Sequence, residues 1–235
     1  MKLKPICIIP ARGGSKGVPK KNIKVIAGKP LLAHVIESLK KSKIFSHVIV
    51  STENKEIAKI AQKYGAEIPF LRPKKLATDT MPMDKVLLHA VRMLYKLGYN
   101  FDIFVWRDAT TPFVRTLDIK RTIHLLKTKK CNMVCGVYKQ HLNPYFNMVE
   151  LDSDGFLKLS KPLKHRPRSR QEAPIVYQLN GLYTYNAKKF LHTKKTDFSK
   201  AIPLEILIET GFMIDTEFEF QIAKLLIENK KLKLV

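Results

Sequence analysis

The residues best suited to chemistry lie in one short segment, 8–23, with the sequence IIPARGGSKGVPKKNI. Its three glycines allow the backbone to bend so that successive N–H groups converge on one point, which forms a nest for an anion. Four cationic side chains add positive charge around that point: Arg12, Lys16, Lys20 and Lys21. The segment predicts a binding site for a phosphate-bearing ligand, and a flexible surface loop is the alternative.

The spacing of this segment excludes two common phosphate-binding motifs. A P-loop needs glycine followed by lysine five residues after its first glycine, but Val18 lies five residues after Gly13 and Pro19 lies five after Gly14. The G-x-G-x-x-G motif fails because Ser15 occupies the position of its second glycine. The phosphate site is therefore of another type.

The elements that must position this segment alternate between strand and helix. Buried strands are predicted at 6–9, 47–51, 67–71, 101–106, 133–137 and 182–185, and helices at 31–39, 57–65, 84–94, 117–126 and 216–226. This alternation is typical of βαβ units with a largely parallel sheet and right-handed crossovers. Ligands bind beyond the carboxyl ends of such strands, so polar residues 107–113 should face the same cleft as 11–22.

Composition limits the class of protein. With 235 residues, 45% of them hydrophobic, the chain can bury the core of one α/β domain. We expect no membrane span, no signal peptide, three reduced and packed cysteines, and a cytoplasmic location. The net charge of +23 would suit nucleic acid, but the lysines are scattered and no nucleic-acid-binding motif accompanies them. We therefore expect a solvated basic surface, with a non-catalytic nucleic-acid-binding protein as the alternative.

The first segment also resembles a known signature. The pattern A-R-x-G-S-K-x-x-x-x-K-N is similar to the N-terminal motif of the cytidylyltransferases that activate nine-carbon acidic sugars, the CMP-sialic acid synthetase family. The matching residues are Ala11, Arg12, Gly14, Ser15, Lys16, Lys21 and Asn22. Four further motifs of that family have counterparts in order, at 72–80, 107–112, 170–181 and 213–219.

This resemblance implies a Rossmann-like nucleotidyltransferase fold, with a mixed, mostly parallel sheet between helices, formed by residues 1–235 as a single domain. The implied reaction transfers CMP from CTP to the anomeric hydroxyl of the sugar and releases pyrophosphate. The implied catalytic residues are Arg12, Lys21 and Asp215. The implied nucleotide-binding residues are Ala11, Arg12, Gly13, Gly14, Ser15, Lys16, Asn22, Arg72, Asp79 and Thr80.

The resemblance also bears on the sugar. Asp108 stands where sialic-acid enzymes carry a glutamine, and this version looks more like the legionaminic-acid branch. The implied sugar-binding residues are Asp108, Thr110, Arg170, Gln171 and Asn180. A cytidylyltransferase for an eight-carbon keto acid is the alternative, although its Q-G-D-E-P motif is absent.

A metal is implied by the last motif. Residues 213–219, MIDTEFE, resemble the family's D-I-D-T-E-x-D element, so Asp215 is the expected Mg²⁺ ligand and Asp108 a possible second one. Met213 replaces the first aspartate, which leaves an inactive, CTP-binding homologue as a further alternative.

The resemblance further implies that residues 139–178 form a β-hairpin arm reaching a second subunit. Aromatic and apolar residues at 144–151, a D-S-D-G turn at 152–155 and apolar residues at 156–159 favour such a hairpin. The expected partners are therefore CTP, an acidic nine-carbon sugar and a second copy of the chain, without nucleic acid or membrane.

Overall fold

The computed structural model describes residues 3–15, 17–229 and 231–232, so Lys16 lies outside the described residues. The strands are β1 Ile6–Pro10, β2 Val25–Ile26, β3 Lys29–Pro30, β4 Val48–Ser51, β5 Ile103–Arg107, β6 Met133–Lys139, β7 Val149–Leu151, β8 Leu157–Leu159, β9 Tyr177–Asn186 and β10 Ala201–Glu205. The helices are α1 Leu31–Ser42, α2 Lys55–Lys63, α3 Met83–Lys96, α4 Thr116–Thr128, α5 Ala187–Thr193, α6 Ile208–Gly211 and α7 Glu217–Glu228.

Six of these strands form one sheet in the order β10-β6-β9-β5-β1-β4. Pairs β10–β6, β5–β1 and β1–β4 are parallel, whereas β9 runs antiparallel to both of its neighbours. The predicted mixed, mostly parallel sheet is confirmed. The carboxyl ends of β1, β4 and β5 consequently lie side by side at one edge, where the loops that follow them can meet.

Helices cover both faces of this sheet because its central strands are apolar on both faces. In β1, Cys7 and Ile9 pack with α1, α2 and α4, while Ile6 and Ile8 pack with α3 and α5. Such continuous apolar runs are typical of parallel strands buried between two helical layers. All three cysteines of the chain are buried and free, as predicted from their spacing.

The strand predicted at 67–71 is wrong. Only Glu67 joins the sheet, through an isolated bridge to Ile49, and the chain then leaves the strand direction. Pro69 has no N–H to donate to a ladder. The backbone N–H of Arg72 instead donates to the carbonyl of Thr52 at 2.8 Å, which brings this segment beside the end of β4.

The predicted hairpin in the arm is confirmed as β7 and β8, which pair antiparallel with Val149 opposite Leu159 and Leu151 opposite Leu157. Its turn is held by the Asp152 carboxylate, which accepts hydrogen bonds from the N–H groups of Asp154 and Phe156. The hairpin forms a separate two-stranded sheet. In the part of the chain that the structure describes, no helix has the length and apolar character required to span a membrane.

Candidate active site

The loop after β1 is held in shape by its own side chains. The Ser15 hydroxyl donates to the Val18 carbonyl at 2.6 Å and accepts from the Lys21 N–H at 3.1 Å. The Asn22 amide donates to the Arg12 carbonyl at 3.0 Å, which ties the two ends of the loop together. Four of the residues predicted from the N-terminal motif thus fold one short segment around the carboxyl end of β1.

The loop after β5 forms a second wall. Its base is the buried Arg107, whose guanidinium donates to the side chain and carbonyl of Thr111 and to the Asp108 carbonyl. Burial lowers the pKa of Arg107 to about 10. This arrangement fixes the turn that carries Asp108 and Thr110.

Asp108 itself is half-buried. It accepts a hydrogen bond from the Trp106 indole N–H at 2.9 Å, and its backbone N–H donates to the Gly181 carbonyl on β9. Burial raises the pKa of its carboxyl to about 6, against the opposing effects of Arg107 and the Trp106 hydrogen bond. The Asp215 carboxylate also raises this pKa, and the Lys21 ammonium lowers it.

The third wall is the segment before α7. The Ile214 N–H donates to the Thr110 carbonyl at 2.8 Å, and the Lys21 ammonium donates to the Ile214 carbonyl and to Asp215 Oδ1, both at 2.8 Å. Helix α7 begins with a capping box in which the Thr216 hydroxyl and the Glu219 carboxylate bond reciprocally to backbone N–H groups. Asp215 is thereby fixed against the loop that follows β1.

These three walls enclose an open cavity of about 330 Å³. It is lined by Pro10, Arg12, Ser15, Gly17, Lys21, Asn22, Arg72, Met83, Asp108, Ala109, Thr110 and Asp215. Eight of the residues predicted from sequence are therefore brought together here: Arg12, Ser15, Lys21, Asn22, Arg72, Asp108, Thr110 and Asp215.

Other predicted nucleotide-binding residues lie around this cavity without lining it. Ala11 is buried beneath the loop, and Gly14 and Thr80 are exposed. Asp79 forms an ion pair with the Arg12 guanidinium at 2.6 Å. The Gly13 N–H, expected to face an anion, instead donates to the Glu53 carboxylate at 2.6 Å.

A second cavity, of about 280 Å³, adjoins the first and shares Met83 and Asp108 with it. Its other lining residues are mainly apolar or aromatic: Leu87, Trp106, Tyr183, Tyr185, Thr196 and Phe198. Burial raises the pKa of both tyrosines, so their hydroxyls remain protonated.

The predicted sugar-binding residues divide between the cavities and the arm. Asp108 lines both cavities, and Thr110 lines the first. Arg170 and Gln171 are exposed on the arm and line neither cavity. Asn180 is fully buried on β9, against Gly136 of β6. The structure therefore does not bring Arg170, Gln171 or Asn180 to the lining of either cavity.

A sequence model of the family described as cytidylyltransferase matches residues 6–229. The chain belongs to the cytidylyltransferase family. This cytidylyltransferase is 36% identical over 231 residues, 97% of both chains, to post-translational flagellin modification protein B of Campylobacter coli. It is 35% identical over 229 residues, 97% of this chain and 96% of the relative, to CMP-N,N'-diacetyllegionaminic acid synthase of Campylobacter jejuni.

Solved structures support the fold of this cytidylyltransferase. A structure of CMP:2-keto-3-deoxy-manno-octonic acid synthetase complexed with CTP superimposes with a TM-score of 0.70 over 97% of this chain and 99% of that chain, at 17% identity. The predicted Rossmann-like nucleotidyltransferase fold is confirmed, and the chain is a nucleotidyltransferase.

Of the described side chains, only a small number of carboxylates lie where they could bind a metal ion in the first cavity. Among the described residues, no group of three or more histidine, cysteine, aspartate or glutamate side chains is arranged to hold a metal ion. Asp108 and Asp215 nevertheless line the same cavity. Two oxygen donors of this kind fit a hard cation that takes its remaining ligands from phosphate oxygens and water.

Proposed function

We propose that this cytidylyltransferase transfers CMP from CTP to the anomeric hydroxyl of a nine-carbon acidic sugar of the legionaminic acid type, with release of pyrophosphate. The observation that carries the proposal is the cavity beyond β1 and β5, where Arg12, Lys21 and Arg72 share one space with Asp108 and Asp215. The relative named CMP-N,N'-diacetyllegionaminic acid synthase, which matches nearly the whole chain, supports this sugar class.

In the proposed reaction the oxygen of the anomeric hydroxyl attacks the α-phosphorus, the bond from that phosphorus to the α–β bridging oxygen breaks, and pyrophosphate leaves while the hydroxyl proton is released to water. Charge develops on the leaving pyrophosphate, so cations already in place lower the barrier. Arg12 and Lys21 offset this negative charge from the loop that follows β1, residues 11–22, which we call the phosphate loop. Lys21 is well placed because two acceptors, the carbonyl of Ile214 and the carboxylate of Asp215, orient its ammonium.

Mg²⁺ is the proposed cofactor, held by Asp215 with help from Asp108. It would offset charge on the phosphates, as hard cations do in nucleotidyl transfer. The Asp108→Asn variant tests the second ligand: we expect the apparent affinity for Mg²⁺ in the activity assay to fall about tenfold. An unchanged Mg²⁺ dependence would show that Asp108 is not a metal ligand.

The second cavity supports the proposed sugar class. An N-acylated deoxy sugar carries methyl groups that gain from burial, and the walls formed by Leu87, Tyr183 and Phe198 are apolar. Asp108 lies between this cavity and the phosphate loop, where a polar group could orient the sugar.

We further propose that residues 1–235 act as one domain in a homodimer, with the arm at 139–178 packed on the second copy. The hairpin leaves Leu151, Phe156 and Leu157 about seven-tenths exposed. Large apolar side chains exposed together on one hairpin favour a protein partner. A twofold partner would bring the exposed Arg170 and Gln171 toward the opposite sugar site.

The dimer is tested by light scattering after chromatography. The Leu151→Ser/Leu157→Ser variant should elute as a monomer. Leu97→Ser, which changes an exposed leucine at the end of α3, serves as the matched control and should leave the dimer intact. A wild-type monomer would contradict this part of the proposal.

The reaction is tested by pyrophosphate release with CTP, Mg²⁺ and a panel of legionaminic, sialic, pseudaminic and eight-carbon acids. We expect turnover with a nine-carbon acid and none without Mg²⁺. An Asp215→Ala preparation controls for contaminating enzymes. Absence of CTP binding would overturn the proposal and favour a role for the basic surface in nucleic-acid binding. A cytoplasmic location is proposed with the reaction, because CTP is an intracellular substrate.

A further inference from the structure

Glu53, two residues beyond β4, joins two parts of the nucleotide site through one carboxylate. Its Oε1 accepts the N–H of Gly13 at 2.6 Å, and its Oε2 accepts from the guanidinium of Arg72 at 2.9 Å. The Glu53 side chain is 14% exposed and that of Arg72 only 3%. Charge-assisted hydrogen bonds sheltered from water in this way are shorter and stronger than those at an open surface.

Arg72 is held through both its backbone and its side chain, and its guanidinium keeps an N–H donor that is not used in these contacts. Its backbone N–H donates to the Thr52 carbonyl, so the residue is tied to the end of β4 at both main chain and side chain. Its Nε is buried and has no hydrogen-bond partner among the described residues. Because a buried donor without an acceptor is costly, and because Arg72 lines the first cavity, the guanidinium is poised for an acceptor on the ligand.

Among the ion pairs of the described residues, Arg72 pairs with Glu53. The nearby His89 has its pKa held below the ordinary value by burial and by Arg72, which favours a neutral imidazole. Glu53 is therefore the group that balances the guanidinium charge while also fixing the phosphate loop at Gly13.

We propose that Glu53 is a positioning residue for CTP, which locks the phosphate loop and Arg72 into one anion-binding unit. This inference rests on the proposed function in taking CTP as the nucleotide. Glu53 does not itself line the cavity, so its effect passes through the two groups that it holds. Loss of the carboxylate would free the Gly13 turn and leave Arg72 without its acceptor.

The test compares Glu53→Gln with the wild type. CTP binding is measured by calorimetry without sugar, and the KM values for CTP and for the sugar are measured separately. We expect the Kd and KM for CTP to rise at least tenfold while the KM for the sugar stays within twofold. Glu56→Gln is the matched control, because Glu56 is an exposed glutamate three residues away that contacts Lys20 at 3.4 Å; it should bind CTP as the wild type does.

A merely structural role would lower the melting temperature of Glu53→Gln without changing the CTP affinity of the folded protein, and this result would overturn the inference. A second readout is the double variant Glu53→Gln/Arg72→Gln. We expect it to bind CTP more weakly than Arg72→Gln alone but more tightly than the sum of the two single losses predicts, because Glu53 acts partly through Arg72 and partly through Gly13. Fully additive losses would contradict that coupling.

Two further results distinguish failure of the positioning role of Glu53 from failure of the proposed function. If Glu53→Gln does not fold, Glu53→Asp replaces it: the shorter side chain keeps the charge but cannot reach both partners, so CTP affinity should again fall. If the wild type binds CTP but turns over no sugar in the panel, the proposed function fails, while weaker CTP binding by the Glu53 variants still supports the positioning role.

Discussion

Replacing Gly17 with alanine would test how closely the phosphate loop must approach the segment before α7. A Cβ atom at Gly17 would lie 2.0 Å from the Asp215 carbonyl oxygen, whereas ordinary contacts of Cβ atoms begin at 3.4 Å. Because the obstructing atom belongs to the backbone, one of the two segments must move by roughly 1.4 Å. Lys21, on the same loop, would then be pulled from its two acceptors at Ile214 and Asp215.

A displacement of about 1 Å at reacting groups can reduce the rate about 100-fold. We therefore expect Gly17→Ala to lower kcat/KM by about 100-fold in the pyrophosphate-release assay, with the protein still folded by circular dichroism. Gly14→Ala is the comparison, because its Cβ would meet no atom within 4 Å and its N–H is retained; its loss should be about threefold or less. Equal activities of the two variants would refute the close-approach argument.

Three other predictions concern burial and backbone conformation. The pKa of Asp108 is raised by burial to about 6, so the stability contributed by its neutral form is present below pH 4 and is lost as the pH rises through 6. Asp108→Asn should therefore raise the free energy of unfolding by about 1–2 kcal/mol at pH 7.5 and not at pH 4, as measured by urea denaturation. Gly181 has φ +74°, and its Cβ would lie 2.5 Å from the Asp108 carboxylate. Gly181→Ala should cost about 1–2 kcal/mol of stability in the same urea titrations and also reduce turnover; an unaltered transition would contradict it. Iodoacetamide at pH 8 should leave the native protein unmodified by intact mass and label three thiols in urea, because burial raises the pKa of Cys7, Cys131 and Cys135.

The parallel half of the sheet could be predicted from sequence because burial on both faces leaves uninterrupted apolar runs. β1 and β5 are such runs, and the loops that follow them carry the polar residues of the first cavity. The antiparallel direction of β9 could not be predicted, since it depends on pairing with β5 and β6 across long stretches of chain. The apolar residues at 67–71 predict a strand, but Pro69 has no N–H for a ladder and the backbone contact of Arg72 with Thr52 takes the chain out of the sheet.

Most of the residues that line the first cavity could be predicted from the ordered motifs, but the role of Glu53 beside it could not. Its contact with Gly13 joins residues 40 positions apart, and nothing in local spacing reveals such a pair. A signal was nevertheless present: Ser51, Thr52 and Glu53 are polar residues at the carboxyl end of a strand next to β1, the position where ligands bind in these sheets. The roles of Arg170 and Gln171 remain predictions, because their expected site lies in another subunit.

The bonds from Lys21 to Ile214 and Asp215 span more than 190 residues of sequence. During synthesis, the ribosome therefore releases the phosphate loop long before its final wall exists. A nascent chain that has reached β6 already contains Asp79, the ion-pair partner of Arg12, but not the two acceptors of Lys21. The β5 edge of its sheet still awaits β9. A chain that ends before residue 214 would therefore lack Asp215 and, with it, the wall of the first cavity that holds the Lys21 ammonium.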